Sequence, residues 1–198
     1  MNKKQAPLPI LLCSGQQVFE QWLADHHAES PGVRLQIAKK NAGIATVTYS
    51  EALESALCFG WVDSQKEKLD EQSWLQRFTP RGPKSIWSKI NKDKAEQLIA
   101  DGRMQPAGFA AIEVAKGNGQ WDKAYESQSV ASMPDDFAAE LAQHEAAKQF
   151  YEQLNRQNQF AILFRIQQAK KPETRAKRIE QFIAMLERGE MLYPKAKA

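Results

Sequence analysis

The stretch Ser73-Trp-Leu-Gln-Arg-Phe-Thr-Pro-Arg-Gly-Pro-Lys-Ser-Ile-Trp-Ser-Lys-Ile-Asn91 decides how this chain reads. Its opening residues alternate, with Trp74, Gln76 and Phe78 on one side and Leu75, Arg77 and Thr79 on the other, which is the period of a β-strand. Pro80 and Pro83 cannot donate to a ladder and mark its end. Asn91 predicts a helix N-cap, opening a helix through Ala95, Leu98 and Ile99 that stops at Gly102. A strand, a proline-stiffened turn and a helix therefore follow one another, and the turn carries Arg81, Lys84 and Lys89 beside Trp87. Cations held by prolines and aromatics are set up to receive an anion; the same residues also make a well-packed joint.

Upstream, Trp61 to Leu69 reads as the partner strand of a hairpin, joined through Leu69-Asp-Glu-Gln72. Thr48-x-x-Glu51 is a capping box that opens a helix through Leu53, Ala56 and Leu57, closing near Gly60. Val33-Arg-Leu-Gln-Ile37 alternates as a half-buried strand, after a helix from about Ser14 to Ala28 that Ser30-Pro31-Gly32 ends. Downstream, Pro106 suits the first turn of a further helix, stopped by Gly117-Asn-Gly119. From Pro134 the pattern is helical throughout, over roughly 134–143, 145–154, 156–170 and 173–188, with Ile179, Phe182, Ile183 and Leu186 forming one apolar stripe. The fold class is α+β. Helices and a small antiparallel sheet occupy residues 14–119, a linker spans 120–133, and an all-helical region covers 134–194.

The 198 residues suffice for one large domain or two small ones, and 42% hydrophobic with 26% charged is ordinary for a globular protein. Two cysteines, Cys13 and Cys58, make no disulfide framework, which points to a reducing compartment. The apolar run Leu8 to Cys13 is too short for a signal peptide and is broken by Pro9, so the expectation is a cytoplasmic protein without membrane insertion. Net charge is only +3, but residues 77–94 carry +5, residues 165–178 carry +5, and the remainder sums to −7. Such asymmetry argues for an anionic partner, a nucleic acid included.

Candidate chemistry is sparse. His26, His27 and His144 form no metal-ligand spacing, so no metal and no cofactor are expected. Cys58 sits near the C-terminal end of its helix, where the dipole disfavours a thiolate, in an apolar run typical of a buried thiol. No GxSxG elbow, Walker loop or GxGxxG is present. The remaining route to a site is anion binding at the helix start, where Arg81, Lys84, Ser85, Ser88 and Asn91 converge, with Arg77 and Trp87 at its edge. Arg175 and Arg178 share a helical face and extend that surface if the two basic segments meet.

Several strings occur together: Glu51-Ala-Leu-Glu-Ser-Ala-Leu-Cys-Phe-Gly-Trp-Val-Asp63, Arg77-Phe-Thr-Pro-Arg81, Ser85-Ile-Trp-Ser-Lys-Ile-Asn91, Gly102-Arg-Met104, and Thr174-Arg-Ala-Lys-Arg-Ile179 before Gly189. From about Phe19 to Pro194 the chain resembles the YdeI/OmpD-associated family, also called bacteriocin-protection proteins. The resemblance implies a bacterial protein with an α+β N-terminal region and a helical C-terminal region. The family's names suggest stress or bacteriocin tolerance, and it supplies no catalytic residues to carry over. It adds a second candidate pocket at Lys40, Tyr49, Trp61 and Asp63, with Cys58 and Thr174 also in matching motifs.

Three functions remain in play. The first is a non-enzymatic binding protein with a basic, aromatic-edged site for phosphate, nucleotide or nucleic-acid backbone. The second is a small-molecule enzyme with Asp63 as acid or base and Arg81 holding an anionic substrate. The third is a scaffold that binds a protein partner through its helical half, in an oligomeric state the residues leave open.

Overall fold

The computed structural model describes residues 7–126 and 132–194. The chain divides into two units, Met1–Ala124 and Tyr125–Ala198.

The first unit is built on a four-stranded sheet in the order β1-β2-β4-β3, comprising β1 (Ile10–Leu12), β2 (Val33–Ala38), β3 (Trp61–Lys68) and β4 (Ser73–Pro80). The strict alternation of Val33 to Ala38 produces a strand whose residues are buried and half-buried in turn. The hairpin expected from residues 61–79 is present, antiparallel, with Phe78 opposite Asp63 and a register shift between Asp63 and Lys66. Strand β4 also pairs antiparallel with β2, Val33 opposite Phe78. Strand β1, in the apolar run Leu8 to Cys13, adds a parallel edge on β2, with Leu11 opposite Leu35.

Helix α1 (Gln16–His26) and helix α2 (Tyr49–Cys58) contribute to one core. It gathers Phe19 and Leu23, Val33, Leu35 and Ile37, Ala52 and Ala56, with Trp61 and Phe78. Burying each of these larger side chains contributes about 1.5–3 kcal/mol. The Thr48–Glu51 capping box forms with both of its reciprocal hydrogen bonds. A second core joins α2 to helix α3 (Lys89–Ala100) and helix α4 (Pro106–Gly117) through Leu57, Trp87, Leu98 and Ile112. Trp121, expected in a linker, is only 6% exposed and meets Trp87 edge-on at 4.8 Å. Residues 127–131 of that expected linker lie outside the described residues.

The helix after β4 begins earlier than Asn91. Ser88 is its N-cap and accepts the Asn91 N–H at 3.1 Å, so Asn91 lies inside the first turn. A serine in extended conformation two residues after Ile86 satisfies an orphan donor of the first turn, three residues earlier than the cap expected at Asn91.

The second unit is helical, with α5 (Asp135–Leu141), α6 (Glu145–Gln153), α7 (Arg156–Gln167) and α8 (Pro172–Glu187). The stripe Ile179, Phe182, Ile183 and Leu186 faces this unit's own core, against Phe137, Tyr151 and Ile162. It is therefore spent on folding. Asn158, fully buried, holds the chain end by donating to the Tyr193 carbonyl at 3.1 Å and accepting its N–H at 2.8 Å.

Candidate functional site

Two glycines place the elements that frame a cleft in the first unit. Gly60 has φ of +72°, and a Cβ there would come within 2.6 Å of the Ala107 carbonyl oxygen. Gly108 is tighter still: a Cβ would lie 2.3 Å from the Cys58 carbonyl oxygen. Only residues without a side chain let α4 press its backbone onto the end of α2. The Gly60 carbonyl in turn accepts the Arg81 N–H at 2.9 Å, which fixes the exit from β4 against the same joint.

The result is a cleft of about 390 Å³. One wall is α4, presenting Ala107, Ala110, Ala111, Val114 and Ala115; the other carries Arg81, Gly82, Pro83, Ser85 and Trp87. His27, Ala28 and Gly60 are also in the lining, which among the described residues contains no carboxylate. The Arg81 guanidinium carbon lies 3.6 Å from the Trp87 ring centroid, a cation–π contact. Its NH1 also donates to the Ile86 carbonyl at 3.2 Å. Ser85 closes the turn by accepting the Gly82 N–H at 3.0 Å, and Asn118 braces it by donating to the Pro83 carbonyl at 2.6 Å.

His27 is the residue that sequence reading passed over, because adjacent histidines suggested no metal. Its Nδ1 sits 2.8 Å from the Leu23 carbonyl, its own carbonyl accepts from Trp61 Nε1 at 3.2 Å, and its ring packs on Phe59. The available signal was the spacing Ala107, Ala110, Ala111, Val114, Ala115, a row of small side chains on one helical face beside Gly60.

Of the residues expected to bind an anion, the structure brings Arg81, Ser85 and Trp87 to this cleft. Lys84 is exposed nearby, Ser88 and Asn91 form the α3 cap, and Arg77 lies half-buried on β4 opposite Arg34. Arg175 and Arg178 belong to the other unit and hold its helices together. Arg175 makes a two-pronged pair with Asp136, at 2.5 and 2.7 Å, and donates to the Ile166 carbonyl at 3.0 Å. Arg178 donates to the Arg165 carbonyl. Both carbonyls lie in the last turn of α7, where carbonyls run short of intrahelical donors; Ile166 also accepts the Ala169 N–H at 3.1 Å. The hydrogen bonds from Arg175 hold the Asp136 carboxyl below its ordinary value.

The second candidate pocket does not assemble as a unit. Tyr49 donates to Asp63 at 2.8 Å on the surface, Trp61 is core, and Lys40 is exposed on the turn after β2. None of the four lines the Arg81 cleft. Cys58 and Cys13 are free, buried thiols, and desolvation pushes each up to about 11. Cys58 borders a separate polar cleft of about 430 Å³ with Glu20, Arg103 and Gln105. There Arg103 bridges Glu20 at 3.2 Å and Glu54 at 3.1 Å, and Lys94 adds a contact to Glu54 at 3.3 Å. Burial pushes the Glu54 carboxyl up, but these cations together bring it below its ordinary value. Among the described residues no group of His, Cys, Asp and Glu is arranged to hold a metal, and no helix is long and apolar enough to cross a membrane.

Residues 11–111, the segment that contains most of this cleft, match the family described as Domain of unknown function (DUF8412). The chain belongs to this family. Residues 130–189 match a second family, described as Bacteriocin-protection, YdeI or OmpD-Associated. The bacteriocin-protection match thus lies in the helical unit, a narrower span than the resemblance over residues 19–194, while the motifs from Glu51 to Met104 fall within DUF8412. No curated protein and no solved structure matches the chain.

Proposed function

We propose that this chain is a cytoplasmic, non-enzymatic binding protein with a bacteriocin-protection-like role, whose first unit holds an anion in the Arg81–Trp87 cleft. The observation that carries this reading is a guanidinium stacked on an indole at the wall of an otherwise small and apolar cleft. Stacking and the Ile86 contact hold the Arg81 guanidinium at the wall, so its positive charge is already in place for an incoming carboxylate or phosphate. The small, apolar α4 wall lowers the local dielectric and strengthens that attraction. Two free, buried thiols are consistent with a reducing compartment. The helical unit's family match is what supports the bacteriocin-protection-like role.

The test is a thermal-shift and titration screen with inorganic phosphate, benzoate, mononucleotides and a short oligonucleotide, on wild type and Arg81→Gln. An anion that binds only the folded protein stabilises it by about 2.7 kcal/mol at a hundred times its Kd. The expected outcome is a shift with at least one small anion that Arg81→Gln abolishes. Arg81→Gln itself costs roughly 1 kcal/mol through the lost cation–π contact. A shift that survives the substitution overturns the site. An oligonucleotide signal that falls steeply with salt would assign the site to a nucleic-acid backbone.

A further inference from the structure

We infer that the first unit carries a second, separate site: the polar cleft lined by Gln17, Glu20, Gln21, Phe59, Arg103 and Gln105 takes an uncharged polyhydroxyl ligand, a neutral sugar ring.

Three segments build this cleft. Gln17, Glu20, Gln21 and Ala24 recur at the spacing of one face of α1, Phe59 follows the end of α2, and Arg103 and Gln105 lie between α3 and α4. The charges there already cancel. Arg103 bridges Glu20 at 3.2 Å and Glu54 at 3.1 Å, and Lys94 reaches Glu54 at 3.3 Å, two cations against two carboxylates. A charged ligand would be attracted by one member of this network and repelled by the next. An uncharged ligand disturbs none of it.

The polar groups left over are chiefly acceptors. Oε1 of Glu20 takes hydrogen bonds from Gln16 at 3.0 Å, Ser55 at 3.1 Å and Arg103 at 3.2 Å, which leaves Oε2 to accept from outside. Gln21 spends its amide nitrogen on the Asp25 carboxylate at 3.1 and 3.2 Å. Gln105 spends its own on the Arg103 carbonyl at 3.0 Å. Carboxylate and carbonyl oxygens only accept, so both amides must turn nitrogen to these partners and keep oxygen in reserve. Gln17, exposed on the same helix face, offers a donor and an acceptor. Neighbouring hydroxyls on one ring each donate a proton and can still accept, so they answer such a set without bringing charge. Phe59, its ring held against His27 at 5.3 Å, and the Ala24 methyl supply apolar surface for the C–H face of that ring. At about 430 Å³ the cleft is at the small end of ligand sites, which suits one or two rings.

Ligand-detected NMR titration with glucose, galactose, mannose, glucosamine and glucuronate at mildly acidic pH tests this on wild type, Gln21→Leu and Ala24→Trp. Glucosamine and glucuronate keep the ring and add a positive or a negative charge. At least one neutral sugar is expected to bind wild type about ten-fold tighter than both charged ones. Gln21 is exposed, so Gln21→Leu removes one acceptor without unfolding the chain and should weaken that sugar about five-fold. Ala24 is also exposed, so its tryptophan variant folds and fills the cleft, abolishing binding. A neutral sugar that binds both variants as it binds wild type overturns the site. Equal or tighter binding of glucosamine or glucuronate overturns the requirement for an uncharged ligand. Silence from all three neutral sugars, with the protein folded, overturns the inference outright. None of these variants touches Arg81, so every outcome leaves the anion-binding reading to its own test.

Discussion

The two basic segments of this chain, residues 77–94 and 165–178, carry the same net charge of +5 and use it differently. In the second, Arg175 and Arg178 turn inward. They take up carbonyls at the end of α7, and Arg175 also ties α8 to Asp136 on α5. In the first, Arg81 lies across an indole on the wall of a cleft. Equal charge therefore says little about binding. Both segments give some cations protein partners, Lys94 pairing with Glu54 and Arg81 donating to the Ile86 carbonyl; what differs is that Arg81 also lies against an indole at a cleft wall, whereas Arg175 and Arg178 tie helices together. All five tryptophans (22, 61, 74, 87 and 121) belong to the first unit, so indole emission follows that unit alone. Far-UV circular dichroism follows both.

The strongest way to break the contrast is Gly108→Ala. Its Cβ would meet backbone at 2.3 Å, so α4 must move off α2 and take the alanine wall of the cleft with it. Overpacking of this kind costs about 3 kcal/mol. Indole emission should report a markedly lower unfolding midpoint, while the helical unit's transition is unchanged. An unshifted emission midpoint would show that the joint is not as tight as drawn.

Arg175→Ala should do the reverse at a smaller scale. It removes a two-pronged charged pair and a carbonyl cap at a side chain 27% exposed, for a loss of about 2 kcal/mol. The ellipticity midpoint of the helical unit should fall and indole emission should not move. Arg175→Lys should recover only part, because an ammonium cannot span both Asp136 oxygens and the Ile166 carbonyl. If Arg175→Ala left stability untouched, the arginine would be a solvated cation, like those expected in a binding surface.

This contrast explains what was legible beforehand. The hairpin, the capping box and the helices of the second unit follow from local periodicity and end signals, and they form where expected. The helix start shifted from Asn91 to Ser88 because both residue types cap well and only the backbone conformation decides between them. Strand β1 escaped notice because three residues carry too little alternation to register. The cleft escaped for a different reason. His27, Gly60, Arg81 and Ala111 are distant in sequence and meet through α4 packing on two glycines, which is a tertiary fact. The same holds for Asp136, which no spacing rule pairs with Arg175.

The smallest expected effect is also the one with the most informative sign. His144 sits between Glu187, 2.7 Å from Nδ1, and Glu140, 3.4 Å from Nε2. The Glu187 hydrogen bond is the main cause that raises its pKa above the ordinary 6.5. A raised folded-state pKa means the folded unit holds the proton more tightly than the unfolded chain. The stabilisation is therefore complete below about pH 6.5 and is lost as pH rises through the higher folded value. Asp136 behaves oppositely: its lowered pKa gives a contribution present above about 3.8 and lost as pH falls through the folded value. The helical unit should thus be most stable between these limits. Its midpoint should decline gently from neutral to mildly alkaline pH, and His144→Gln should flatten that decline while leaving the acid limb intact. Both groups lie in the second unit, so the same titration followed by indole emission should lack the His144 step. If emission showed that step and ellipticity did not, the assignment of these charges to the helical unit's own stability would be wrong.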